Sequence, residues 1–578
     1  MTTIPVVVKH QGKKYDVELD PSSNGETFKF QLYSLTGVEP ERQKILVKGG
    51  QLKDDTPLSS LGAKKGHVFM MMGSPSGSGT VIEKPKEKIR FLEDMTEAEA
   101  AQSEGAIPPG LQNLGNTCYM NATIQTLKSI PELQSELGKS SQSSSQSDAS
   151  SAFASLLGSS GMSSDLVGSL RDLFNQMSKT QYPVTPVVFL NSLRATYPQF
   201  AQRARDGNGY AQQDAEEAWS QVISQIRQKV KTKEVGTDGK EQEIPFVDQY
   251  MSGTFESIME CDEKAAKEGG EEPVKSTDTF LKLNCHINGE VSHLRDGLAN
   301  GLVEKIEKRS SVLDRDAIYT KTSKITRLPK YLTVHYMRFD WRRTSNKKAK
   351  IMKKVVFPQE LDVVEFCGET LSKKLTPIRD KFREVRGMQE DHERARKRQK
   401  RNREDESKSL PAEAAAPKGK DKDKKEEKKP DVDVDMEGVV FKTDAEVEAE
   451  RHASVLAAKQ ELRAMLNPED AADPTTNHTG LYELRGIITH QGMTADSGHY
   501  TAFVKKSPVK DPRTGEEVED GKWWWFNDDK VSEYESDRIE QLSGGGQSHS
   551  ALVLLYRAVA MPIVEETKDA TTAGASSS

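Results

Sequence analysis

The stretch Gly110-Leu111-Gln112-Asn113-Leu114-Gly115-Asn116-Thr117-Cys118-Tyr119 sets one thiol at the start of a predicted helix, behind an approach of small residues and amides. Beyond it, Met120, Ile124 and Leu127 recur at the spacing of one helical face. Thr117 fits an N-cap, which puts Cys118 in the first turn. The positive end of the helix dipole favours a thiolate there, lowering the pKa and arming the sulfur as a nucleophile. Far downstream, Gly498-His499-Tyr500 and Trp525-Phe526-Asn527-Asp528-Asp529 offer a base and a group to orient it. A lone cysteine is usually a small buried hydrophobe. Here the helix-start position, the amide-rich approach and the His/Asn pair argue instead for acyl transfer through a thiol.

Those groups need elements to position them. Tyr500 to Lys506 and Lys522 to Phe526 read as strands joined through Lys510-Asp511-Pro512-Arg513-Thr514-Gly515. A symmetric hairpin folded at Arg513 sets 499 opposite 527, with a bulge able to shift that register. Asn116 shapes the turn before the helix. His490 lies near the site as a supporting residue.

A chain of 578 residues is too long for one core, so two or more domains are expected. With 35% hydrophobic and 30% charged residues, a water-soluble protein with sizeable disordered stretches is the expectation. The net charge of −7 gives no basic excess to suggest nucleic acid. No apolar run approaches bilayer-spanning length and nothing resembles a signal peptide, so neither a membrane nor secretion is expected. Four cysteines, Cys118, Cys261, Cys285 and Cys367, are too sparse for a disulfide framework and suit a reducing cytosol or nucleus.

Residues 1–73 form a first unit. Val6 to His10 and Tyr15 to Leu19 read as a hairpin, Thr27 to Leu35 as a helix, and Lys44 to Val47 and Val68 to Met72 as further strands. The order resembles a ubiquitin-like β-grasp domain, and Glu41 to Asp54 match ubiquitin itself. The unit runs on through Met72-Gly73-Ser74 without a terminal Gly-Gly, which implies docking rather than conjugation. If the last strand alternates with Phe69 and Met71 outward, these join Leu46 in an exposed apolar patch; packing of the same side chains in the core is the alternative. Residues 74–104 suit a flexible tether, and Lys139 to Ser151 a Ser/Gln-rich loop. Residues 370–475 read as a charged, disordered insertion with helical character at its flanks. Its basic octet, 394–401, could be a nuclear address or a polyanion patch, set against a simple solvated charged segment. Residues 561–578 read as a disordered tail.

Five boxes occur in one order: Asn113 to Ala122, Gln212-Gln213-Asp214-Ala215-Glu216-Glu217, Leu328-Pro329-Lys330-Tyr331-Leu332, Gly498-His499-Tyr500, and Trp525 to Val531. Together they resemble the boxes of ubiquitin-specific proteases across about 105–560. The resemblance implies an α+β, papain-like cysteine protease fold of thumb, palm and fingers, hydrolysing isopeptide bonds at the carboxyl end of ubiquitin. It implies Cys118 as nucleophile, His499 as base and Asn113 as an oxyanion donor. Members commonly carry Asp where Asn527 stands; an Asn carbonyl can still orient the imidazole, with Asp528 as the fallback. Gln212, Gln213 and Asp214 match a box associated with positioning and ubiquitin binding. The loops Phe339 to Lys353 and Gln491 to Ser497 would overhang the channel for the ubiquitin tail as mobile gates. Many members hold zinc in the fingers through two Cys-x-x-Cys pairs; this chain has none, so no metal and no cofactor are expected.

The ubiquitin-like unit, the metal-free fingers and the charged insertion narrow the resemblance to the proteasome-associated branch, the ubiquitin carboxyl-terminal hydrolase 14 type. That implies docking on the proteasome regulatory particle, recycling of ubiquitin, and residence in cytoplasm and nucleus. The rivals are a non-catalytic ubiquitin-binding scaffold and a protease for another ubiquitin-like modifier.

Overall fold

The computed structural model describes residues 3–10, 13–47, 50–73, 95–103, 105–139, 165–204, 209–235, 241–342, 347–408, 444–468, 470, 473–494, 497–510, 517–546 and 548–562. They fall in two compact units, Met1–Asp94 and Met95–Ser578. Residues 74–94 of the expected tether, the loop beyond Lys139, the insertion's Lys/Asp/Glu block and the tail beyond 562 lie outside the described residues.

In the first unit, strands β1 (Ile4–His10), β2 (Lys13–Leu19), β3 (Lys44–Val47), β4 (Gly50–Gln51) and β5 (Val68–Met72) form one sheet in the order β2-β1-β5-β3-β4. Helix α1 (Gly25–Thr36) starts at Asn24, whose side chain accepts from the Thr27 amide, and stops at Gly37, held at φ 70°. Phe28 and Leu32 of α1 are buried in the same core as Val6, Val8 and Ile45. This is the expected β-grasp order, but β5 has the opposite phase. Phe69 and Met71 are 2% exposed core residues, whereas Val68 and Met70 are 50% and Met72 53% exposed. Leu46 is exposed as expected and stands opposite Met70. The outward apolar set is therefore Leu46, Val68, Met70 and Met72. Five consecutive apolar residues, 68–72, give no polar partner from which to read which face is inward.

The second unit is built on a sheet running Leu283–Cys285, Tyr331–Tyr336, Ser550–Ala558, Leu481–Thr494, Ser497–Lys505, Trp523–Asn527 and Lys530–Tyr534, each strand bonded to the next. The helix Cys118–Lys128 is buried at every position from Cys118 to Leu127. It is thus a central helix, buried all round, not a surface helix with one inward face. Its hydroxyls are satisfied locally: Thr123 and Thr126 donate to the carbonyls of Tyr119 and Ala122 at 2.9 Å. A separate four-stranded sheet, Val303–Arg309, Asp316–Arg327, Gly253–Cys261 and Val274–Phe280, corresponds to the expected fingers.

The expectation of a flexible tether is corrected in part, and the helical flanks expected of the insertion are present but also bury a core, which its composition was not expected to do. Within the tether, Glu97–Gln102 is a helix closed by a capping box between Thr96 and Glu99. Within the insertion, helices Glu369–Lys408 and Asp444–Ala464 pack together, with Ile378, Phe382 and Val385 meeting Ala458, Leu462 and Leu481. Apolar residues three and four apart give each helix a stripe that the overall charge of the segment conceals. The basic octet rides on the first of these helices among local acids. Arg394 pairs with Glu390 and Asp391, Lys397 with Glu393, and Arg396 with Glu448 across the pair.

Candidate active site

The approach to Cys118 is folded by its own amides. Asn113 Oδ1 accepts from the Gly115 amide at 3.0 Å and the Thr117 amide at 3.2 Å, closing a side-chain turn. Gly115 at φ 93° and Asn116 at φ 55° carry the chain through the left-handed region. Asn116 also donates to the Tyr210 carbonyl at 3.0 Å, in keeping with a turn-shaping role. Thr117 occupies the N-cap position but does not cap: its hydroxyl oxygen instead accepts from the Leu114 amide at 2.9 Å.

The downstream turn locks onto this approach. Asp528 sits at φ 52° between the strands Trp523–Asn527 and Lys530–Tyr534. Its carboxylate accepts from Asn113 Nδ2 at 2.9 Å and from Asn121 Nδ2 at 2.8 Å. Its carbonyl accepts from the Leu111 amide at 2.8 Å. A Cβ at Gly110 would collide with the backbone of Asp528 and Asp529, so only glycine permits this approach. Asp528 therefore braces the nucleophile loop, and among the described residues no hydrogen bond or ion pair joins it to His499. Asn121, three residues beyond Cys118, is a positioning residue that the spacing of the apolar face does not single out.

His499 Nε2 lies 2.6 Å from Asn527 Oδ1. The expected pairing of these two residues is present, but the register behind it differs. Ala502 stands opposite Phe526 and Phe503 opposite Trp525, which continues to place Asn527 opposite Thr501. His499 reaches Asn527 diagonally, from the next position on the same face. An amide oxygen can only accept, so Nε2 carries the proton and Nδ1 is the basic nitrogen.

The surroundings of the thiol run contrary to the expectation of a lowered pKa. Cys118 is 3% exposed, and burial pushes its pKa up to about 11. A hydrogen bond with the Tyr500 backbone works against that rise, and the Asp528 carboxylate adds to it. Desolvation outweighs the helix-start effect. Among the described residues no hydrogen bond joins Cys118 to His499.

Elsewhere the expected site residues divide. Asp214 is the N-cap of the helix Ala215–Lys229, accepting from the Glu216 amide at 2.8 Å, and so positions that helix. Gln212 keeps a buried amide nitrogen without a hydrogen-bond partner, and Gln213 is half-buried. The two expected gates meet. Phe339–Arg342 and Lys347–Lys350 form a hairpin, Ala349 stands opposite Thr494, and Lys350 Nζ donates to the His490 carbonyl at 2.6 Å. Burial, with Arg338 nearby, lowers the Lys350 pKa to about 8. His490 packs its ring on Tyr500 and Phe339, and burial depresses its pKa to about 3, leaving it neutral. Cys261 and Cys285 belong to different hydrophobic clusters, and among the described residues no group of three or more His, Cys, Asp or Glu could hold a metal ion.

Comparison with known proteins agrees with this geometry. The family model "Ubiquitin carboxyl-terminal hydrolase" matches residues 109–556 and that of the "Ubiquitin family" matches residues 6–76. Ubiquitin carboxyl-terminal hydrolase 6 of Schizosaccharomyces pombe is 42% identical over 96% of this chain and 99% of its own length. Ubiquitin carboxyl-terminal hydrolase 6 of Arabidopsis thaliana is 38% identical over 96% and 98%. Ubiquitin carboxyl-terminal hydrolase 14 of Caenorhabditis elegans is 31% identical over 96% and 94%. A buried cysteine at a helix start, a histidine held by an amide on the neighbouring strand, and two family matches covering both units lead to one conclusion: the chain belongs to the ubiquitin carboxyl-terminal hydrolase family, as a cysteine-type deubiquitinase with a papain-like catalytic domain and an N-terminal ubiquitin-like domain.

Proposed function

We propose that this deubiquitinase works at the proteasome, releasing ubiquitin from engaged substrates for reuse, and that docking switches it on. The observation that carries the switch is the buried thiol, 3% exposed, which among the described residues makes no hydrogen bond to His499. In the proposed reaction, arrival of the ubiquitin tail brings the His499 imidazole onto Cys118. Nδ1 takes the thiol proton while Asn527 holds the Nε2–H. The thiolate attacks the carbonyl of the terminal glycine, and the oxyanion draws on Asn113 Nδ2 and a backbone N–H at the helix start. The imidazolium then gives its proton to the departing lysine amine. Water, activated by the same histidine, cleaves the thioester. Gln212 and Gln213 would bind or position ubiquitin beside this centre.

The outward face of Leu46, Val68, Met70 and Met72 suits a docking surface on the proteasome regulatory particle, in cytoplasm and nucleus. The contact of the two gate loops through Ala349, Thr494 and Lys350 supports a closed state that a partner can open. Hydrolysis of a fluorogenic ubiquitin conjugate, measured with and without proteasomes, tests the reading. Stimulation is expected, and deleting residues 1–73 should reduce it at limiting enzyme while sparing the basal rate. Equal rates with docking confirmed would remove the switch. Tail-electrophile probes built on ubiquitin and on other modifiers separate the enzyme from a scaffold and from a protease of different specificity.

A further inference from the structure

The hydrogen bond between His499 and Asn527 fixes how the two side chains meet. Where the pair points depends on what stands behind it on the same face of the sheet. Side chains alternate along a strand, so Thr501 and Phe503 share a face with His499, and Trp525 shares one with Asn527. Phe503 stands opposite Trp525, which makes these a single face. A second imidazole closes it from behind. His549, half-buried just before the strand Ser550–Ala558, brings Nδ1 to 3.2 Å from the Thr489 hydroxyl and 3.3 Å from the Thr501 hydroxyl. Those hydroxyls lie 2.9 Å apart on paired strands, so the three groups form one closed cluster. The same ring stands edge-on to Trp525, with centroids 6.0 Å apart at 84°, and to Phe503 at 6.4 Å and 82°. The buried indole N–H of Trp525 has no hydrogen-bond partner, so packing holds that ring. His549 thus leans on the residue two beyond the base and on the residue two before its orienter. Its carrier is anchored in turn: Arg338 donates to the Ala551 carbonyl at 2.7 Å and to the Ser543 carbonyl at 2.9 Å. Burial, with His499 and Lys350 nearby, lowers the His549 pKa. The ring is therefore neutral at neutral pH and sets no charge against the imidazolium that His499 becomes.

We propose that His549 is a positioning residue for the hydrolysis: it clamps Thr501 and Trp525, the side chains behind His499 and Asn527, and so sets the aim of the imidazole on the Cys118 thiol. It acts through those neighbours and takes no proton from the reaction. The inference rests on the reading of His499 as base and Asn527 as its orienter. Misplacing a reacting group by about 1 Å can cost about 10²-fold in rate, so a partial loss of aim should cost about tenfold.

The test uses the full chain and steady-state hydrolysis of a fluorogenic ubiquitin conjugate. His549→Ala should lower kcat by about tenfold with KM within about twofold of wild type, the mark of a loss confined to the transition state. His549→Asn sets an amide nitrogen where Nδ1 stood and should recover kcat to within about threefold of wild type. Thr501→Val keeps the shape of the side chain without its hydroxyl and should lower kcat as well. Added to His549→Ala, it should cost less than about twofold more, because both changes open the same clamp. An unchanged kcat in a folded His549→Ala protein overturns the proposal. So does a loss carried by KM, no recovery in His549→Asn, or full multiplication of the two effects in the double variant. If His549→Ala does not fold, Thr501→Val takes its place, and a kcat equal to wild type overturns the proposal. His499→Ala, measured alongside, keeps the two readings apart. If it is inactive while His549→Ala is unimpaired, the positioning role alone falls; if it is fully active, the base falls and this role with it.

Discussion

The two walls of the catalytic cleft are held by different amounts of structure. On the cysteine wall, Asn113, Asn121, Thr117 and the Asp528 carboxylate form a net in which each member has several partners. On the histidine wall, a single hydrogen bond among the described residues, to Asn527, orients the His499 ring. Asn527 and Asp528 are adjacent in sequence yet serve opposite walls, because Asp528 turns through the left-handed region and reverses the direction of its side chain. The nucleophile's position is over-determined, whereas the base's is set once. Loss of a brace on the first wall should be partly absorbed by its neighbours, and loss of the single tie on the second should not.

The largest effect sets the baseline for that contrast. Cys118→Ala should lower turnover of a fluorogenic ubiquitin conjugate by at least about 10⁴-fold, with folding and ubiquitin affinity intact. Substantial hydrolysis by the pure variant would end the thiol mechanism. Next, Asn527→Ala should cost about 10²–10⁴-fold in kcat, because the ring loses its tautomer and aim, while Asn527→Asp stays active. Asn113→Ala should fall by about 10²–10³-fold if its amide also serves the oxyanion; an unchanged kcat would confine Asn113 to the turn.

Asp528 is the sharper probe of the comparison. Asp528→Ala should impair turnover less than Asn527→Ala, while destabilising the domain by about 1–3 kcal/mol through the amides it leaves unpaired. The reverse ranking would transfer the orienting role to Asp528. The sign of its electrostatic effect can be checked separately. The Asp528 carboxylate raises the Cys118 pKa, so Asp528→Asn removes a negative charge and should move the thiol pKa down from about 11, read as a shift of the alkylation rate profile to lower pH. A profile moved upward would contradict the placement of that charge.

The smallest effects on catalysis belong to the ubiquitin-like unit. Phe69→Ala should destabilise it by about 3–5 kcal/mol, as for a core aromatic, with little change in basal turnover. Met70→Ala should leave its stability within about 0.5 kcal/mol and weaken proteasome association. Thermal unfolding and a binding assay separate the two, and interchanged results would restore the phase that places Phe69 outward.

Much of the candidate site was legible in the sequence because its residue types are chemical requirements, a thiol, an imidazole and an amide, and their order is that of the family's boxes. What was hidden depends on three dimensions. The hairpin register could not be read, since a long connection between the strands leaves its fold point free and His499 reaches Asn527 across the diagonal. The phase of β5 was undetermined in an unbroken apolar run. The thiol pKa followed burial on all sides of the helix, which the spacing of Met120, Ile124 and Leu127 does not reveal. The packed helices at 369–408 and 444–464 were masked by charge density, although the stripe through Ile378, Phe382 and Val385 was there to be counted.

The contact between Asn113 and Asp528 spans 415 residues of sequence, and this separation has a bearing on the timing of synthesis. The cysteine loop leaves the ribosome long before the turn that braces it. At typical elongation rates of about 5–20 residues per second, the interval is on the order of 20–80 s. During that time neither His499 nor Asn527 exists for most of the wait, and the loop around Cys118 lacks the carboxylate that closes it. A nascent or truncated chain thus carries the reactive residue without the means to use it, and hydrolytic competence arrives only with the closing strands of the domain.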